Sequence, residues 1–367
     1  MRSTIAQINL NHLIYNYTNI RKKVKGAKIL AVVKADAYGH GVKEIVSSLS
    51  SLKNKPEYFG VALAQEGIEL KKLKVRQPVL VFEPLTTANA EDLLNNDLTL
   101  TVFNDEHISI LKKEVRKKTK VHVKVDTGMG RLGCDPDNVI KLINKLTSLK
   151  LIEIDGIYSH FATSDSADKK FADLQLRRFK RLIGELKEKK IKYGLAHCAN
   201  SGAILDMDDS YFDMVRPGIS LYGYYPSLET SGSIKLKPVM SIISSVDSVN
   251  RVPKKKSISY GQLYFTKKET TIVTVPIGYA DGYNRNLTNS ISAIIKGNLY
   301  PQVGRVTMDR IMFDVGDAVI KTGEKVVLLG TQKDKKIDAW DWSKVLNTIP
   351  YEITCNISKR VPRIYTK

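Results

Sequence analysis

The sequence has few cysteines, no long apolar run and a shortage of acidic residues. Its three cysteines, Cys134, Cys198 and Cys355, lie far apart without a CxxC pair, which argues against a disulfide framework and against a thiolate metal site, so no metal is predicted. No apolar run approaches the roughly 20 residues of a membrane span. The opening MRSTIAQINL lacks the apolar stretch of a signal peptide. We therefore expect a soluble, cytoplasmic protein that makes no membrane contact.

The shortage of acidic residues leaves a strongly basic chain. Lysine and arginine number 58 against 38 aspartates and glutamates, giving a formal net charge of +20. The lysines cluster in amphipathic stretches such as RKKVK (21–25) and KKEVRKKTK (112–120), where they are typical of a solvated helix face. No zinc finger, RNP motif or basic zipper accompanies them. We predict no specific nucleic-acid partner, and the positive charge favours anionic ligands instead.

Two patterns divide the 367 residues. Up to about residue 233, eight short apolar or alternating runs are separated by amphipathic segments, which predicts an α/β fold, an N-terminal (β/α)8 barrel over 1–233. These runs lie near 29–33, 59–62, 79–82, 99–103, 121–125, 153–158, 193–197 and 212–215. After PSLETSGS (226–233) the chain is rich in Val, Ile and Thr with frequent turns. That composition predicts a mainly β domain over 234–367.

Groups able to do chemistry follow the predicted strands. Active sites of such barrels lie at the C-terminal ends of the strands. Each group alone has an ordinary structural explanation, and their common location is the signal. They are Lys34 and Tyr38 after the first strand, Lys124 and Arg131 at the fifth, His160 at the sixth, Asn200 and Ser201 after the seventh, and Arg216, Gly218 and Ile219 after the eighth.

A phosphate site is predicted after the last two strands. The Ser201 hydroxyl and the backbone amides of Gly218 and Ile219 suit a phosphate dianion, although Ser201 alone would read as a helix N-cap. Beside such a site, Lys34 can hold an aldehyde cofactor as a Schiff base, although alone it would read as a solvated lysine. Pyridoxal 5′-phosphate (PLP) has both the aldehyde and the phosphate.

The fifth strand and the loop after it carry two further signals. In VHVKVD the three valines share one face, so His122, Lys124 and Asp126 are predicted to face the barrel interior. GMGRLG (128–133) matches G-x-G-x-x-G, but the next helix is predicted to begin at Pro136 with Asp135 as its cap. A dinucleotide turn needs its helix to start within the glycine loop, so that function is not favoured.

Nine motifs together resemble the alanine racemase family. They are AVVKADAYGHG, KVDTGMGRLG, SHFATSD, HCANSGA, DMVRPGISLYG, SYGQLY, PIGYADGY, VGRVTMD and RVPRIY, in order along nearly the whole chain. The resemblance implies a PLP-dependent isomerase that interconverts L- and D-alanine and supplies D-alanine for peptidoglycan. It also implies a homodimer in which the β domain contributes to the partner's active site.

The resemblance assigns roles by position. Lys34 would carry PLP, with Arg216 facing the pyridine nitrogen and Lys124 carbamylated. Lys34 and Tyr264 would be the two catalytic bases, one for each face of the substrate carbon. The implied cofactor contacts are Lys34, Tyr38, His160, Asn200, Ser201, Arg216, Gly218 and Ile219, and the implied substrate contacts are Arg131, Met308 and Tyr279.

Other functions fit less well. A PLP decarboxylase would need a carboxylate where Arg216 stands, and a non-catalytic PLP barrel would lack the second domain. A broad-specificity racemase, acting also on serine, is the closest alternative, although such enzymes are often exported and disulfide-bonded. The chain departs from the family at Lys359, where many members carry a tyrosine that shapes the substrate pocket. We expect Lys359 to turn to solvent and the pocket to tolerate more substrates.

Overall fold

The computed structural model describes residues 3–367, which form two compact units. The β-strands are β1 (Ile5–Asn9), β2 (Lys28–Val32), β3 (Tyr58–Val61), β4 (Val79–Pro84), β5 (Thr99–Val102), β6 (Thr119–Lys124), β7 (Ile152–Tyr158), β8 (Leu195–His197), β9 (Met214–Val215), β10 (Met240–Ser245), β11 (Ser248–Val252), β12 (Thr270–Val275), β13 (Ser292–Ile295), β14 (Asn298–Val303), β15 (Ile311–Gly316), β16 (Lys325–Gln332), β17 (Lys335–Ile337) and β18 (Arg363–Thr366).

The α-helices lie mostly between the strands of the first two-thirds of the chain. They are α1 (Leu10–Lys23), α2 (Lys34–Gly39), α3 (Val42–Ser50), α4 (Ala64–Lys72), α5 (Ala90–Asn95), α6 (Asp105–Glu114), α7 (Val139–Thr147), α8 (Lys170–Glu188), α9 (Ser201–Asp206), α10 (Ala339–Leu346) and α11 (Pro350–Cys355). The Asp135 side chain accepts from the Asp137 N–H at the 3-10 turn Pro136–Asn138, as predicted.

The larger unit, residues 14–37 and 42–236, is the predicted barrel. Its eight parallel strands run in the order β8-β7-β6-β5-β4-β3-β2-β9, which confirms the predicted fold class. Hydrogen bonds from the Asp213 N–H to the Ala196 carbonyl and from the Arg216 N–H to the Ala199 carbonyl bring the end strands together. The strands are apolar because they are buried on both faces: β3 and β5 have no exposed residue.

The longest helix shows how the barrel is covered. In α8 the buried residues recur every three or four positions, so one face packs inward while the charged face stays in water. The predicted stretch 170–190 therefore folds as expected. One buried residue of α8 is polar: Gln175 accepts from the Ala162 N–H and donates to the His160 carbonyl, 3.0 Å away, which fixes the loop after β7.

The other unit contains residues 1–13, 38–41 and 237–367, of which 3 onwards are described. Its sheet has the order β11-β12-β15-β14-β13-β16-β10-β1-β18, with β17 paired to β16. The chain after 237 is mainly β, as predicted. The N-terminal strand differs from the predicted division at 233, because β1 pairs with β10 and β18 in this sheet instead of joining the barrel.

Candidate active site

Four cations converge at the C-terminal ends of the barrel strands. Lys34 follows β2, Lys124 ends β6, Arg131 lies in the next loop and Arg216 follows β9. All four act electrostatically on His160, which follows β7: burial lowers the pKa of this imidazole well below 6.5, and the four cations lower it further. The imidazole is therefore neutral, and the surrounding charge favours an anionic ligand.

The lysine at the end of β2 opens an unusual turn. Ala35, Asp36, Ala37 and Tyr38 all have φ between 51° and 55°, so α2 is left-handed. This conformation costs roughly 1–2 kcal/mol per residue for side chains other than glycine. The Glu66 carboxylate accepts the Ala35 N–H (2.6 Å), and the Asp36 carboxylate accepts the Val42 N–H (2.7 Å). Strain held in place by such bonds is typical of functional sites.

The Arg216 guanidinium is buried and is held by neutral acceptors alone. It is 4% exposed. It donates to the Ser159 carbonyl (2.6 Å), the Cys198 carbonyl (3.1 Å), His197 Nδ1 (2.8 Å) and His160 Nδ1 (3.2 Å). Within residues 3–367 no carboxylate is among its hydrogen-bond partners, and burial lowers the pKa of Arg216 to about 10. It therefore remains a cation and can only donate.

A cradle of hydroxyl and amide groups follows β8 and β9. Ser201 Oγ accepts the Gly218 N–H (3.0 Å) and lies 3.0 Å from Ser220 Oγ. Ile219 begins a 3-10 turn, Ile219–Tyr222, immediately after Gly218. The helix N-cap is Asn200, not Ser201, because its side chain accepts the Ala203 N–H. Asn200 thus has a structural task, and the Ser201 hydroxyl points to the strand-end loops.

Lys124 lies inside the barrel, as the alternation of VHVKVD predicted. It is 7% exposed, with its Nζ 4.7 Å from the centroid of the Tyr158 ring. Burial and the nearby Arg216 and Arg131 lower the pKa of Lys124 to about 7. A large fraction of this amine is therefore neutral near pH 7, which is the form that reacts with CO2.

The GMGRLG loop serves to turn the chain and to expose Arg131. The Asp126 carboxylate accepts the N–H groups of Gly128 and Gly130, each at 2.9 Å. Gly133 has φ +136°, and a Cβ there would lie 2.5 Å from the Asp126 nitrogen. The glycines therefore close a tight loop, and the dinucleotide turn disfavoured by the sequence is not formed.

The smaller unit carries the two tyrosines of SYGQLY. The Tyr264 hydroxyl donates to the Asp314 carboxylate at 2.6 Å, and burial together with this bond raises the pKa of Tyr264 to about 12. That direction is opposite to what a base needs near neutral pH. Tyr260 is 72% exposed, in a turn where Ser259 and Gln262 have left-handed φ values. Sequence reasoning passed over Tyr260, although it stands in the same motif.

Tyr279 and Met308 lie side by side on two adjoining loops. The Tyr279 N–H donates to the Thr307 carbonyl and the Ala280 N–H to the Met308 carbonyl. Their side chains are 42% and 51% exposed. Three apolar side chains of residues 260–265 in the same unit are exposed as well, and exposed large apolar residues are typical of interaction surfaces. We call Tyr260, Leu263, Phe265, Tyr279 and Met308 together the exposed apolar surface.

Two further residues singled out from the sequence are Tyr38 and Lys359. Tyr38 is buried in the smaller unit, with its ring centroid 5.8 Å from that of Tyr351. Lys359 is exposed.

In residues 3–367 no helix is long and apolar enough to cross a bilayer, and no His, Cys, Asp and Glu side chains are grouped as metal ligands would be.

The fold and the site together define a class of protein. A parallel barrel with a strand-end lysine, an anion cradle and a buried arginine, joined to a β unit, is the architecture of barrel enzymes that convert amino acids with PLP. The donor set fits that cofactor: Lys34 supplies an amine for the aldehyde, Ser201 and the Gly218 amide suit the phosphate, and Arg216 offers donors to a ring nitrogen.

Comparison with known proteins narrows the class. Residues 8–226 match the alanine racemase N-terminal domain, and residues 239–365 match the alanine racemase C-terminal domain. The chain is 41% identical to alanine racemase 2 of Caldanaerobacter subterraneus subsp. tengcongensis over all of this chain and 95% of that protein, and 42% identical to the alanine racemase of Clostridium tetani over 100% and 96%. The chain belongs to the alanine racemase family and is an isomerase.

Solved structures agree with this assignment. Alanine racemase of Clostridium difficile 630 is 38% identical, with a TM-score of 0.92 over 99% of this chain and 96% of that one. Alanine racemase of Bacillus anthracis with bound L-Ala-P is 34% identical, with a TM-score of 0.93 over 100% and 96%. Both the barrel and the β unit therefore follow the family's fold.

Proposed function

We propose that this chain interconverts L- and D-alanine with PLP carried on Lys34, and that the D-alanine supplies peptidoglycan. The observation that carries the proposal is the strand-end amine beside a hydroxyl–amide cradle and a buried arginine with only neutral partners. PLP, when bound, acidifies the Cα–H of alanine by delocalising the electron pair left on that carbon. Membership of the family supports both the reaction and the cofactor.

The residues around the cofactor divide the remaining tasks. Ser201 and the amides of Gly218 and Ile219 would hold the phosphate. Arg216 would donate to the ring nitrogen without giving up its proton, and a ring that stays unprotonated is a weaker electron sink with fewer side reactions such as transamination. The Arg131 guanidinium meets the substrate carboxylate.

Racemisation needs proton transfer on both faces of the substrate carbon. The Lys34 amine serves one face. For the other face we propose Tyr260 in place of Tyr264, because the Tyr264 hydroxyl is committed to Asp314 and has a raised pKa. Among residues 3–367 the Tyr260 hydroxyl has no hydrogen-bond partner, and its ring is exposed. It is therefore available to a substrate.

We further propose a homodimer with shared sites. The exposed apolar surface that includes Tyr260, Tyr279 and Met308 belongs to the β unit, whereas Lys34 and Arg216 belong to the barrel. A partner subunit that covers this surface would remove it from water and deliver its Tyr260 and Met308 to the other subunit's barrel.

The test measures the reaction and the attachment of the cofactor separately. Purified protein supplied with PLP should convert L-alanine to D-alanine, measured by chiral chromatography. Borohydride should trap the cofactor on the tryptic peptide that contains Lys34, and Lys34→Ala should abolish both conversion and trapping. Cofactor trapped on another lysine, or no conversion by a PLP-loaded protein, would contradict the proposal. Serine assayed in parallel tests the broad-specificity alternative, which the comparisons do not favour.

A further inference from the structure

A row of side chains runs through the barrel interior away from Arg216. Arg216 Nη1 lies 2.8 Å from His197 Nδ1, and His197 Nε2 lies 2.9 Å from His122 Nδ1. His122 Nε2 is 3.6 Å from the Asp155 carboxylate. At its far end Asp155 accepts the Tyr58 hydroxyl at 2.5 Å. The row starts at a strand's C-terminal end and finishes near the start of β3, and every member belongs to the barrel unit.

The chemistry of the two ends fixes every proton between them. Arg216 can only donate, so His197 Nδ1 is unprotonated and accepts, and His197 Nε2 carries the proton. That proton points at His122 Nδ1, so His122 carries its own proton on Nε2. This N–H faces a carboxylate, which can only accept. Burial lowers the pKa of both imidazoles, and the nearby Arg216 lowers both further. Asp155 raises the pKa of His122 but does not reverse the lowering, so each imidazole is neutral.

The surrounding structure is built to hold this row. Strands β6 and β7 shift register between Val121 and His122, so that Asp155 is the extra residue of a bulge. Bulges re-aim side chains beside functional sites. Residue 156 has to be glycine, because a Cβ there would lie 2.6 Å from the His122 ring. The Tyr158 ring stacks on His197 with centroids 5.0 Å apart and a 5° angle between planes.

The row gives Arg216 a neutral acceptor whose own orientation is held. A carboxylate in direct contact would take the N–H groups of Arg216 in a bidentate pair and turn them away from the cofactor. The His197 ring instead occupies one guanidinium nitrogen, Nη1, and is itself held by the hydrogen bond to His122.

We propose that His122 and Asp155 are positioning residues that act through His197 to orient Arg216 toward the cofactor ring. The proposal rests on the proposed function, because it gives Arg216 the cofactor as its partner. It extends the machinery to residues of the barrel interior that do not touch substrate or cofactor.

The first test observes proton positions directly in the full-length chain. The protein has six histidines, so long-range ¹H–¹⁵N correlation of histidine-labelled protein can resolve each ring. His197 and His122 should both be neutral with the proton on Nε2, before and after PLP is added. A proton on Nδ1 of either ring, or a doubly protonated ring, would overturn the proposal. This result does not depend on racemase activity, so its failure is distinguishable from failure of the proposed function.

The second test uses matched variants. His122→Leu removes the acceptor for His197 and should weaken PLP binding about tenfold. His122→Asn keeps an acceptor near the Nδ1 position and should restore binding to within about threefold. Asp155→Asn leaves the tautomers fixed from the Arg216 end, but it removes the carboxylate that the His122 N–H faces, so it should weaken PLP binding in the same direction as His122→Leu.

The control is Lys120→Gln. Lys120 contacts Asp155 at 2.9 Å with a side chain that is 45% exposed, and its loss should leave the tautomers and the PLP affinity unchanged. The proposal would be refuted if His122→Leu bound PLP as tightly as the parent and the ¹⁵N chemical shift of His197 Nδ1, the nitrogen that faces Arg216, stayed unchanged. If His122→Leu does not fold, the parent tautomers and Asp155→Asn still decide it.

Discussion

The two tyrosines of SYGQLY give a sharp test of the proposed chemistry. Tyr260→Phe removes an exposed hydroxyl that has no hydrogen-bond partner among residues 3–367, so the fold should be intact. Removing a general base typically costs about 10²–10⁴-fold in rate, and we expect racemisation to fall within that range. Lys34 is unaffected, so proton exchange on its own face of the substrate carbon should continue.

Tyr264→Phe is the matched control, because it removes a hydroxyl from the same loop. The Asp314 carboxylate loses one donor but keeps the Thr270 hydroxyl and the Gly316 N–H. For a half-exposed bond we expect a loss of about 1 kcal/mol in stability. The racemisation rate should stay within about threefold of the parent's, because a loss of stability of this size leaves the loop folded.

The assay follows deuterium and chirality together in D2O. In Tyr260→Phe, one enantiomer of alanine, the one that presents its hydrogen to Lys34, should gain deuterium at Cα without inverting. In Tyr264→Phe, exchange and inversion should stay coupled, as in the parent. If Tyr264→Phe instead shows exchange without inversion while Tyr260→Phe racemises normally, the base is Tyr264 and our reasoning from its hydrogen bond is refuted.

Three further predictions follow from the site. With ¹³C-labelled bicarbonate, a carbamate signal on Lys124 should grow as pH rises from about 6 to 8, because the pKa near 7 leaves the amine protonated and unreactive below it; a signal that does not change with pH, or that persists in Lys124→Ala, contradicts this. Mixing Lys34→Ala with Tyr260→Phe should restore about a quarter of parental activity through hybrid dimers that keep one intact site, whereas hybrids that form without activity would exclude shared sites. Lys359→Tyr should lower serine use relative to alanine, because a rigid ring would narrow a pocket that a solvated lysine leaves open; an unchanged ratio removes any role for Lys359 in the pocket.

Much of this protein follows from local pattern. The eight strand-like runs and the amphipathic α8 were predictable because buried strands and half-buried helices impose their own periodicities on apolar residues. The strand-end position of Lys34 and the interior position of Lys124 followed from that periodicity and from barrel topology. The sequence alone therefore determined the class of fold, and it predicted the face of the barrel that carries the site.

Tertiary structure decided what depends on contacts distant in the chain. No local pattern predicts that β1 joins the second sheet, because strand partners are chosen by packing across more than 200 residues. The left-handed turn after Lys34 needs Glu66 to hold it, and the path from Arg216 to Asp155 exists only once four strands close around it. Our proposal of Tyr260 in place of Tyr264 likewise rests on the hydrogen bond to Asp314, fifty residues from Tyr264. Hydrogen-bond partners and burial set these groups' pKa values, and only the folded chain brings such partners together.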